Sequence, residues 1–458
     1  MSRRSLFVVY NTNMTRTLKS YIGAIAAPAL LLLCFFVLFK MMSVLDVDLR
    51  PILTFIIATS PIWLPMALAY IAFEQWMWSV EEKYRYRMGR VTLRIKLPQE
   101  VFKSPEAMES VLTQMHQVNS RDNVMQTYLD GKHPLVNSLE LVSIGGDVRF
   151  YANVPRSKVK DALETQLYAQ YPGIEVVEEE VDYTGEVVWD PDKWEMISFH
   201  MGKKKDEVYP IKTYVDFGLD KMPKEEEKYD PMSAMIEYLG KAKPHERVWI
   251  QILMTPHTAM GFKEGKLWPF ASPVKDWSEA AMAEVDKLMK RDQNIGAIED
   301  SDNRPLLTAG ERDTIAAIER NYGKYAFYTA IRAIYIVETG KFDPNMIAPM
   351  LRTFGQYDIV GRNAIGVRWR TDFNYKFFSD ISGNRLTAMK KEELEMYKAR
   401  YYLAAEKISR ADEEKIFSVE ELATIYHIPG SSILTPGLGR VENTRKEAPS
   451  NLPTGEMN

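Results

Sequence analysis

The sequence is poor in the residues that build covalent cross-links and metal centres. It has one cysteine, Cys34, and six histidines in 458 residues. A single thiol excludes a disulfide within the chain, which fits a reducing compartment for the folded part. No histidine is spaced from the cysteine or from another histidine as zinc ligands are. We therefore expect no metal site and no bound cofactor.

The chain also lacks an excess of positive charge. Its formal net charge is −4 and its pI is about 6.0. Proteins that coat DNA or RNA are usually basic, so we expect no direct nucleic-acid binding. The composition is 46% hydrophobic, which suffices to bury real cores. The length predicts roughly two or three domains.

Catalytic motifs are missing as well. The string nearest to a phosphate-binding P-loop, Gly261–Lys266, lacks the spacing and the hydroxyl residue that the loop requires. No nucleophile elbow, zinc-protease motif or cysteine–histidine pair occurs in the sequence. The many carboxylates fit solvated strand and helix faces. We therefore predict a non-enzymatic protein without catalytic residues.

Two long runs without charge stand out near the N-terminus. They are Tyr21–Phe39 and Pro51–Phe73, and each is long enough to cross about 30 Å of hydrocarbon as a helix. A signal peptide is a poorer interpretation of the first run, because no small-residue cleavage site follows it. Buried core helices are the other alternative, but such helices rarely lack a polar face. We predict a transmembrane hairpin over residues 21–73.

The flanking charges predict the orientation of this hairpin. Residues 1–20 contain four basic residues and no acid, and basic residues also follow the second run. Lys and Arg favour the cytoplasmic side. Trp76 and Trp78 lie where interfacial aromatic residues are expected. We expect the cytoplasmic (inner) membrane as the location, with both termini and the bulk of the chain in the cytoplasm.

Residues 91–184 have the pattern of a compact α+β unit. Leu93 and Ile95 alternate with charged residues, as in a half-buried strand. Gly145 and Gly146 separate two apolar runs and predict a β-hairpin. Helix signals follow the first strand and the hairpin, and a last strand closes the unit. The order β-α-β-β-α-β is that of a ferredoxin-like domain.

Residues 205–373 are predicted to repeat this order. We expect strands at Tyr209–Phe217, Arg247–Met254 and Tyr325–Val337, with a helical insertion over 256–324. The predicted fold class is therefore α+β: a two-helix transmembrane hairpin, two ferredoxin-like units, the second with a helical insertion, and a helical C-terminal tail.

Residues 385–458 are predicted to form a helical region and a docking tail. Ser418 and Glu421 have capping-box spacing at the start of a helix. The tail is apolar but has little local core, so we predict that it docks on a partner protein. Packing of the tail on the chain's own second unit is the open alternative. The predicted docking residues are Leu422, Ile425, Tyr426, Ile428, Ile433, Leu434 and Leu438.

Several strings in order carry a family resemblance. They include LRIKLPQEVFKSPEAMESVLTQMH from Leu93, ERVWIQILMTP from Glu246 and FSVEELATIYHIPG from Phe417. From about Thr92 to Pro453, this succession resembles the pre-motor region of membrane-bound coupling ATPases of type IV secretion and conjugative DNA transfer. In that family the last string leads into the motor domain, whereas this sequence ends at Asn458.

The resemblance implies a membrane-anchored component that anchors or orients a separately encoded hexameric ATPase. The implied partners are the lipid bilayer, that ATPase and further copies of this chain. Two alternatives stay open. One is an envelope or pilus-assembly scaffold unrelated to DNA, and the other is a membrane enzyme with an unrecognised site. Ferredoxin-like units serve many roles, so the fold alone does not decide between them.

Overall fold

A computed structural model describes most of the chain beyond the N-terminal 49 residues. The described residues are 50–99, 101, 103–120, 124–221, 230–257, 277–289, 307–371, 383–400, 415–430, 435 and 437–441. The first predicted transmembrane run, residues 21–39, lies outside them. They fall into two units. One contains the helix up to Tyr84 and Tyr128–Gly131, and the other, called the body below, contains Arg85–Thr127 and the described residues from Lys132 onward.

The second predicted run lies in a single long helix, α1 (Arg50–Met88). Large apolar side chains on it are exposed, among them Phe55, Ile62 and Leu68. Its stretch from Ile57 to Met88 is long and apolar enough to span a membrane, and none of its most apolar window is buried. Pro61 and Pro65 lie inside the helix, as membrane helices tolerate.

The body begins with elements that alternate between strand and helix, as the sequence predicts. Gly89 adopts a positive φ of 59° between α1 and the first strand. Gly145 and Gly146 form the turn of the predicted β2–β3 hairpin, both with positive φ. The elements of this part are β1 (Arg90–Pro98), α2 (Glu106–Val118), α3 (Val124–Leu129), β2 (Asn137–Ile144), β3 (Asp147–Pro155), α4 (Lys158–Gln170) and β4 (Glu175–Glu178).

The second part of the body repeats the alternation around a pair of inserted helices. These elements are β5 (Trp194–Lys203), α5 (Ser233–Gly240), β6 (Glu246–Pro256), α6 (Trp277–Leu288), α7 (Ala309–Tyr322), β7 (Ala326–Glu338), α8 (Ile347–Arg352) and β8 (Ile365–Arg370). The C-terminal elements are α9 (Asn384–Lys398), β9 (Lys415–Ser418), α10 (Val419–Ile425) and β10 (Arg440–Val441). The predicted helical insertion is thus present as α6 and α7.

The fold is α+β, and the ten strands of the described residues form a single sheet. The strand order is β10-β1-β3-β2-β6-β7-β5-β8, with β4 also paired to β1 and β9 to β7. All pairs of named strands are antiparallel except β1 with β10. In each part of the body the fourth strand pairs with the first, the first with the third and the third with the second. The two parts meet where β2 pairs with β6 along Asn137–Ile144.

The predicted strand at Tyr209–Phe217 is wrong, because this segment has irregular backbone up to Thr213 and forms a turn from Tyr214 onward. Its backbone N–H groups donate elsewhere: Ile211 to the Glu421 carboxylate and Tyr214 to the Thr424 hydroxyl. The first strand of the second part is β5, which begins at Trp194, before the predicted boundary at residue 205. Alternating apolar and polar residues in Trp194–Lys203 are the signal that could have revealed it.

Each face of the sheet has its own core. The first face packs against α2, α4, α5, α8 and α10, with side chains such as Met108, Leu163 and Ile236 fully buried. The second face carries a smaller cluster that includes Trp249 and Tyr151 from the sheet and Leu394 and Tyr397 from α9. The last two helices of the described chain therefore lie on opposite faces of one sheet.

Candidate functional site

The start of α10 is fixed by the capping box that the sequence predicts. Ser418 accepts a hydrogen bond from the backbone N–H of Glu421, and the Glu421 side chain accepts one from the backbone N–H of Ser418. Two otherwise unsatisfied donors at the helix start are thereby paired. All seven residues of α10 are buried, so this short helix lies inside the body.

Glu421 also forms a fully buried ion pair. Its carboxylate lies 2.8 Å from the Nζ atom of Lys203, and neither side chain is exposed. Lys203 also lies 4.8 Å from the ring centroid of Phe417 and donates to the Glu207 carbonyl. Removing one partner of such a pair leaves an uncompensated buried charge, which costs roughly 3–5 kcal/mol. The basic run at Lys203 thus serves in part to hold α10.

The neighbouring Glu420 connects α10 to three other segments. Its carboxylate accepts hydrogen bonds from Arg320 Nε at 3.1 Å and from the Thr213 hydroxyl at 2.6 Å. Lys324 Nζ lies 2.9 Å from the same carboxylate and also binds Glu109 on α2. These bonds explain why consecutive glutamates can be buried at the start of one helix.

The predicted docking residues lie mainly inside the chain's own core. Leu422, Ile425, Tyr426 and Ile428 are each at most 1% exposed, and Leu438 is 8% exposed. Ile433 and Leu434 lie outside the described residues. These five side chains pack in the chain's own core against both parts of the body and not against the second unit alone, since the Tyr426 ring centroid lies 5.6 Å from that of Phe150 in β3. Docking of the tail on a partner protein stays a prediction.

The chain after α10 crosses the turn of the β2–β3 hairpin. The Gly437 carbonyl accepts a hydrogen bond of 2.7 Å from the backbone N–H of Val148. A Cβ atom on Gly437 would lie 1.8 Å from the Gly146 carbonyl oxygen, so only glycine fits there. Arg440 then donates to the carbonyls of Pro98 and Gly430. This segment is therefore fitted to the body rather than loosely attached.

On the second face, a row of residues crosses the sheet, and all of them except a valine at one end are polar or aromatic. Its members are direct cross-strand partners, so their side chains share one face. From β4 to β8 the row runs Val177, Arg94, Tyr151, Glu140, Gln251, Arg332, His200 and Trp369. The central five, Tyr151 to His200, are at most 4% exposed. Burying these groups is costly unless each charge is compensated.

Helix α9 lies over this row and presents a polar stripe to it. Glu393, Tyr397 and Arg400 follow at i, i+4 and i+7, which places them on one side of a helix. Glu393 and Tyr397 are unexposed, and Arg400, just after the helix, is 5% exposed. Each residue of the stripe contacts the row: Glu393 contacts His200, Tyr397 contacts Gln251, and Arg400 contacts Glu140.

Arg400 lies between two carboxylates. Its guanidinium binds Glu140 with bonds of 3.0 and 3.1 Å and Asp182 with bonds of 2.5 and 3.1 Å. Among the described residues it is the one non-glycine with positive φ, at 49°. That left-handed conformation costs an L-residue roughly 1–2 kcal/mol. The backbone is therefore strained at the point where the guanidinium enters the site.

The pKa values around Arg400 reflect this pairing. Burial disfavours ionisation of Glu140, but the charge of Arg400 and its hydrogen bonds outweigh burial and lower the pKa of the carboxyl. The pKa of Asp182 is lowered by the same balance. Burial, together with the charge of Glu140, raises the pKa of Tyr183 and of Tyr397 well above the usual value. Both phenols stay neutral and can donate hydrogen bonds.

The middle and the far end of the stripe are also bonded to the sheet. The Tyr397 and Tyr183 hydroxyls are 2.9 Å apart, and Tyr183 donates to Glu140. Gln251 donates to the Tyr397 carbonyl. At the far end, the Glu393 carboxylate lies 2.7 Å from His200 Nε2 and 3.8 Å from Arg332 Nε.

The arrangement is one of compensated charges and does not resemble a metal centre. Among the described residues, no group of three or more His, Cys, Asp or Glu side chains could hold a metal ion. Sequence reasoning missed the row because it assigned the carboxylates to solvated faces. The signals that could have found it are a glutamate between leucines in β2 and the i, i+4, i+7 spacing of the stripe.

One family model matches this chain. The family described as "Domain of unknown function (DUF8128)" matches residues 79–359, which is more than half of the sequence. The chain therefore belongs to this family. No curated protein matches it, and no solved structure does. The matched residues end before β8, so α9 and α10 both lie beyond them.

Proposed function

We propose that this member of the DUF8128 family is a non-enzymatic, membrane-anchored component of a type IV secretion or conjugation-like DNA-transfer machine. In this role it anchors or orients a separately encoded hexameric ATPase at the cytoplasmic membrane. The body faces the cytoplasm, and the chain works as one of several copies in a complex. It does not bind nucleic acid directly.

The exposed apolar surface of α1 is the observation that carries the membrane part of this proposal. Phe55, Ile62 and Leu68 are each more than half exposed. Soluble proteins rarely expose contiguous apolar patches of this extent. Insertion into a lipid bilayer would remove this surface from water. The basic residues that flank the two apolar runs support the cytoplasmic orientation of both ends.

We further propose that each part of the body is a ferredoxin-like unit. In both parts the strand order is fourth, first, third, second, with antiparallel neighbours. This order is what the split βαβ arrangement requires. Pairing of β2 with β6 then joins two such units into one sheet, which suits a rigid scaffold.

The membrane anchor can be tested by extraction at alkaline pH. We expect the full chain in the membrane pellet. Arginine substitutions in both apolar runs, Leu31→Arg and Leu32→Arg with Ile62→Arg and Leu68→Arg, should move it to the supernatant. Val181→Arg with Val188→Arg is the matched control, because these apolar side chains of the body are 78% and 70% exposed. Recovery of the unsubstituted chain in the soluble fraction would contradict the anchor.

The role beside an ATPase can be tested by purification in mild detergent. We expect a separate P-loop ATPase to co-purify with the full chain and the purified chain alone to hydrolyse no ATP. ATP turnover by the chain alone would refute a non-enzymatic role. If the protein is an envelope scaffold unrelated to DNA transfer, envelope proteins should co-purify with it and no ATPase should.

A further inference from the structure

We propose that residues 384–400, which comprise α9 and Arg400, form a strap. This strap moves away from the sheet while the sheet itself stays folded. The row of side chains beneath the strap is then a binding face for a partner helix. This helix would carry a carboxylate, an aromatic hydroxyl and a guanidinium at positions i, i+4 and i+7. The proposal concerns the body alone and holds whether or not the protein serves DNA transfer.

The strap is held by polar contacts and by a small apolar contact area around Leu394 and Tyr397. Of the fifteen residues of α9, four are buried: Glu393, Leu394, Met396 and Tyr397. Only Leu394 and Met396 among them are purely apolar. Polar groups that are uncovered by opening regain hydrogen bonds from water, so opening loses less than the exposure of an apolar helix would. Segments with few buried apolar contacts open locally, below the free energy of global unfolding.

Backbone strain at Arg400 also favours opening of the strap. In the closed strap this residue has a left-handed backbone, and its guanidinium lies between Glu140 and Asp182. When the strap opens, Arg400 can return to an ordinary backbone conformation. Strained residues held by their surroundings are typical of sites that switch between two states.

The chemistry of the row, together with Asp182 and Tyr183 beside it, defines the partner. Glu140 and Asp182 together accept a guanidinium at one end. The Tyr183 hydroxyl meets an aromatic hydroxyl in the middle. His200 and Arg332 lie against a carboxylate at the other end. A helix with the two charges exchanged would place like charges together at both ends, so the face selects one helix direction and one charge order.

The first test compares the accessibility of two buried positions in the full chain. Cys34→Ser removes the native thiol, and single cysteines are then placed by Met396→Cys in the strap and Val419→Cys in α10. Both native side chains are 1% exposed. We expect the strap thiol to react with a maleimide at least about tenfold faster, because it needs only local opening. Arg400→Gln should accelerate labelling at 396 and not at 419.

Equal labelling rates at the two positions, or equal acceleration of both by Arg400→Gln, would show that the strap opens only with the whole body. Either result would overturn the proposal.

The second test probes the binding face with a peptide of residues 384–400. We expect a fluorescent peptide to bind the full-length Arg400→Gln variant more tightly than the unsubstituted chain, whose own strap competes. A control peptide with Glu393→Lys and Arg400→Glu should not bind. Absence of binding to the variant, or equal binding of both peptides, would refute the helix-binding face.

Discussion

Helices α9 and α10 both bury charged side chains, but they differ in how much of each helix is buried. Helix α10 has seven residues, all buried, and its glutamates bind lysine, arginine and backbone groups from distant segments. Helix α9 has fifteen residues, of which four are buried, and it contacts the sheet through a polar stripe and a few apolar side chains such as Leu394. The short helix is thus part of the core, whereas the long one covers a face. Length and helical pattern alone therefore do not indicate which helix holds a fold together.

The largest difference should appear when one buried charge of α10 loses its partner. Lys203→Met leaves the Glu421 carboxylate buried and unneutralised, which should lower the free energy of unfolding by roughly 3–5 kcal/mol. Urea denaturation of the purified chain measures this. Adding Glu421→Gln should recover part of the loss, because the charge is then gone. A Lys203→Met variant as stable as the parent would contradict a core role for α10.

A matched pair of cavity-forming substitutions sharpens the comparison. Leu422 in α10 and Leu394 in α9 are both at most 1% exposed. Leu422→Ala should cost about 2–5 kcal/mol of global stability. Leu394→Ala should cost less, because its effect is limited by the free energy of closing the strap. Equal losses in urea denaturation would mean that the two helices are equally integral.

Acid should weaken the attachment of α9. The folded pKa values of Glu140 and Asp182 lie below the ordinary values of 4.5 and 3.8. Their stabilisation is therefore complete above these ordinary values and is lost as the pH falls through the lower folded ones. Unfolding free energies measured from about pH 6 to about pH 3 should fall less steeply for Glu140→Gln than for the parent. If the unfolding free energies of the parent and of Glu140→Gln fell equally with pH, the ion pairs with Arg400 would not contribute to stability.

The smallest effect concerns the backbone of Arg400. Arg400→Ala and Arg400→Gly both remove the guanidinium, but glycine accepts positive φ without strain. We expect the glycine variant to be more stable than the alanine variant by roughly 1 kcal/mol in urea denaturation. An alanine variant of equal or greater stability would show that the left-handed conformation costs nothing there.

Local patterns in the sequence predicted part of this fold. The Gly145–Gly146 hairpin, the capping box at Ser418 and the inserted helices follow from short-range signals and are confirmed. The segment at Tyr209–Phe217 was mistaken for a strand because its apolar alternation fits a sheet, while its N–H groups bind side chains some 200 residues away. Such partners cannot be inferred from local periodicity.

The same limit applies to the site. Burial of Glu140 depends on Arg400, which comes 260 residues later, so the residues around Glu140 do not identify the group that compensates its charge. Leu422 and Ile425 of the tail are apolar and were expected to be buried against a partner protein. They are instead buried in the chain's own core. Whether apolar residues find an internal or an external partner depends on tertiary contacts that spacing does not encode.

Hydrogen exchange of the unsubstituted full chain, measured by mass spectrometry in native buffer, tests the contrast between the two helices most directly. We predict that backbone amides of Asn384–Lys398 exchange through local opening, well before those of Val419–Ile425, which should exchange with the core strands β6 and β7. Exchange of both helices at the same rate as β6 and β7 would contradict the distinction between a strap and a core helix.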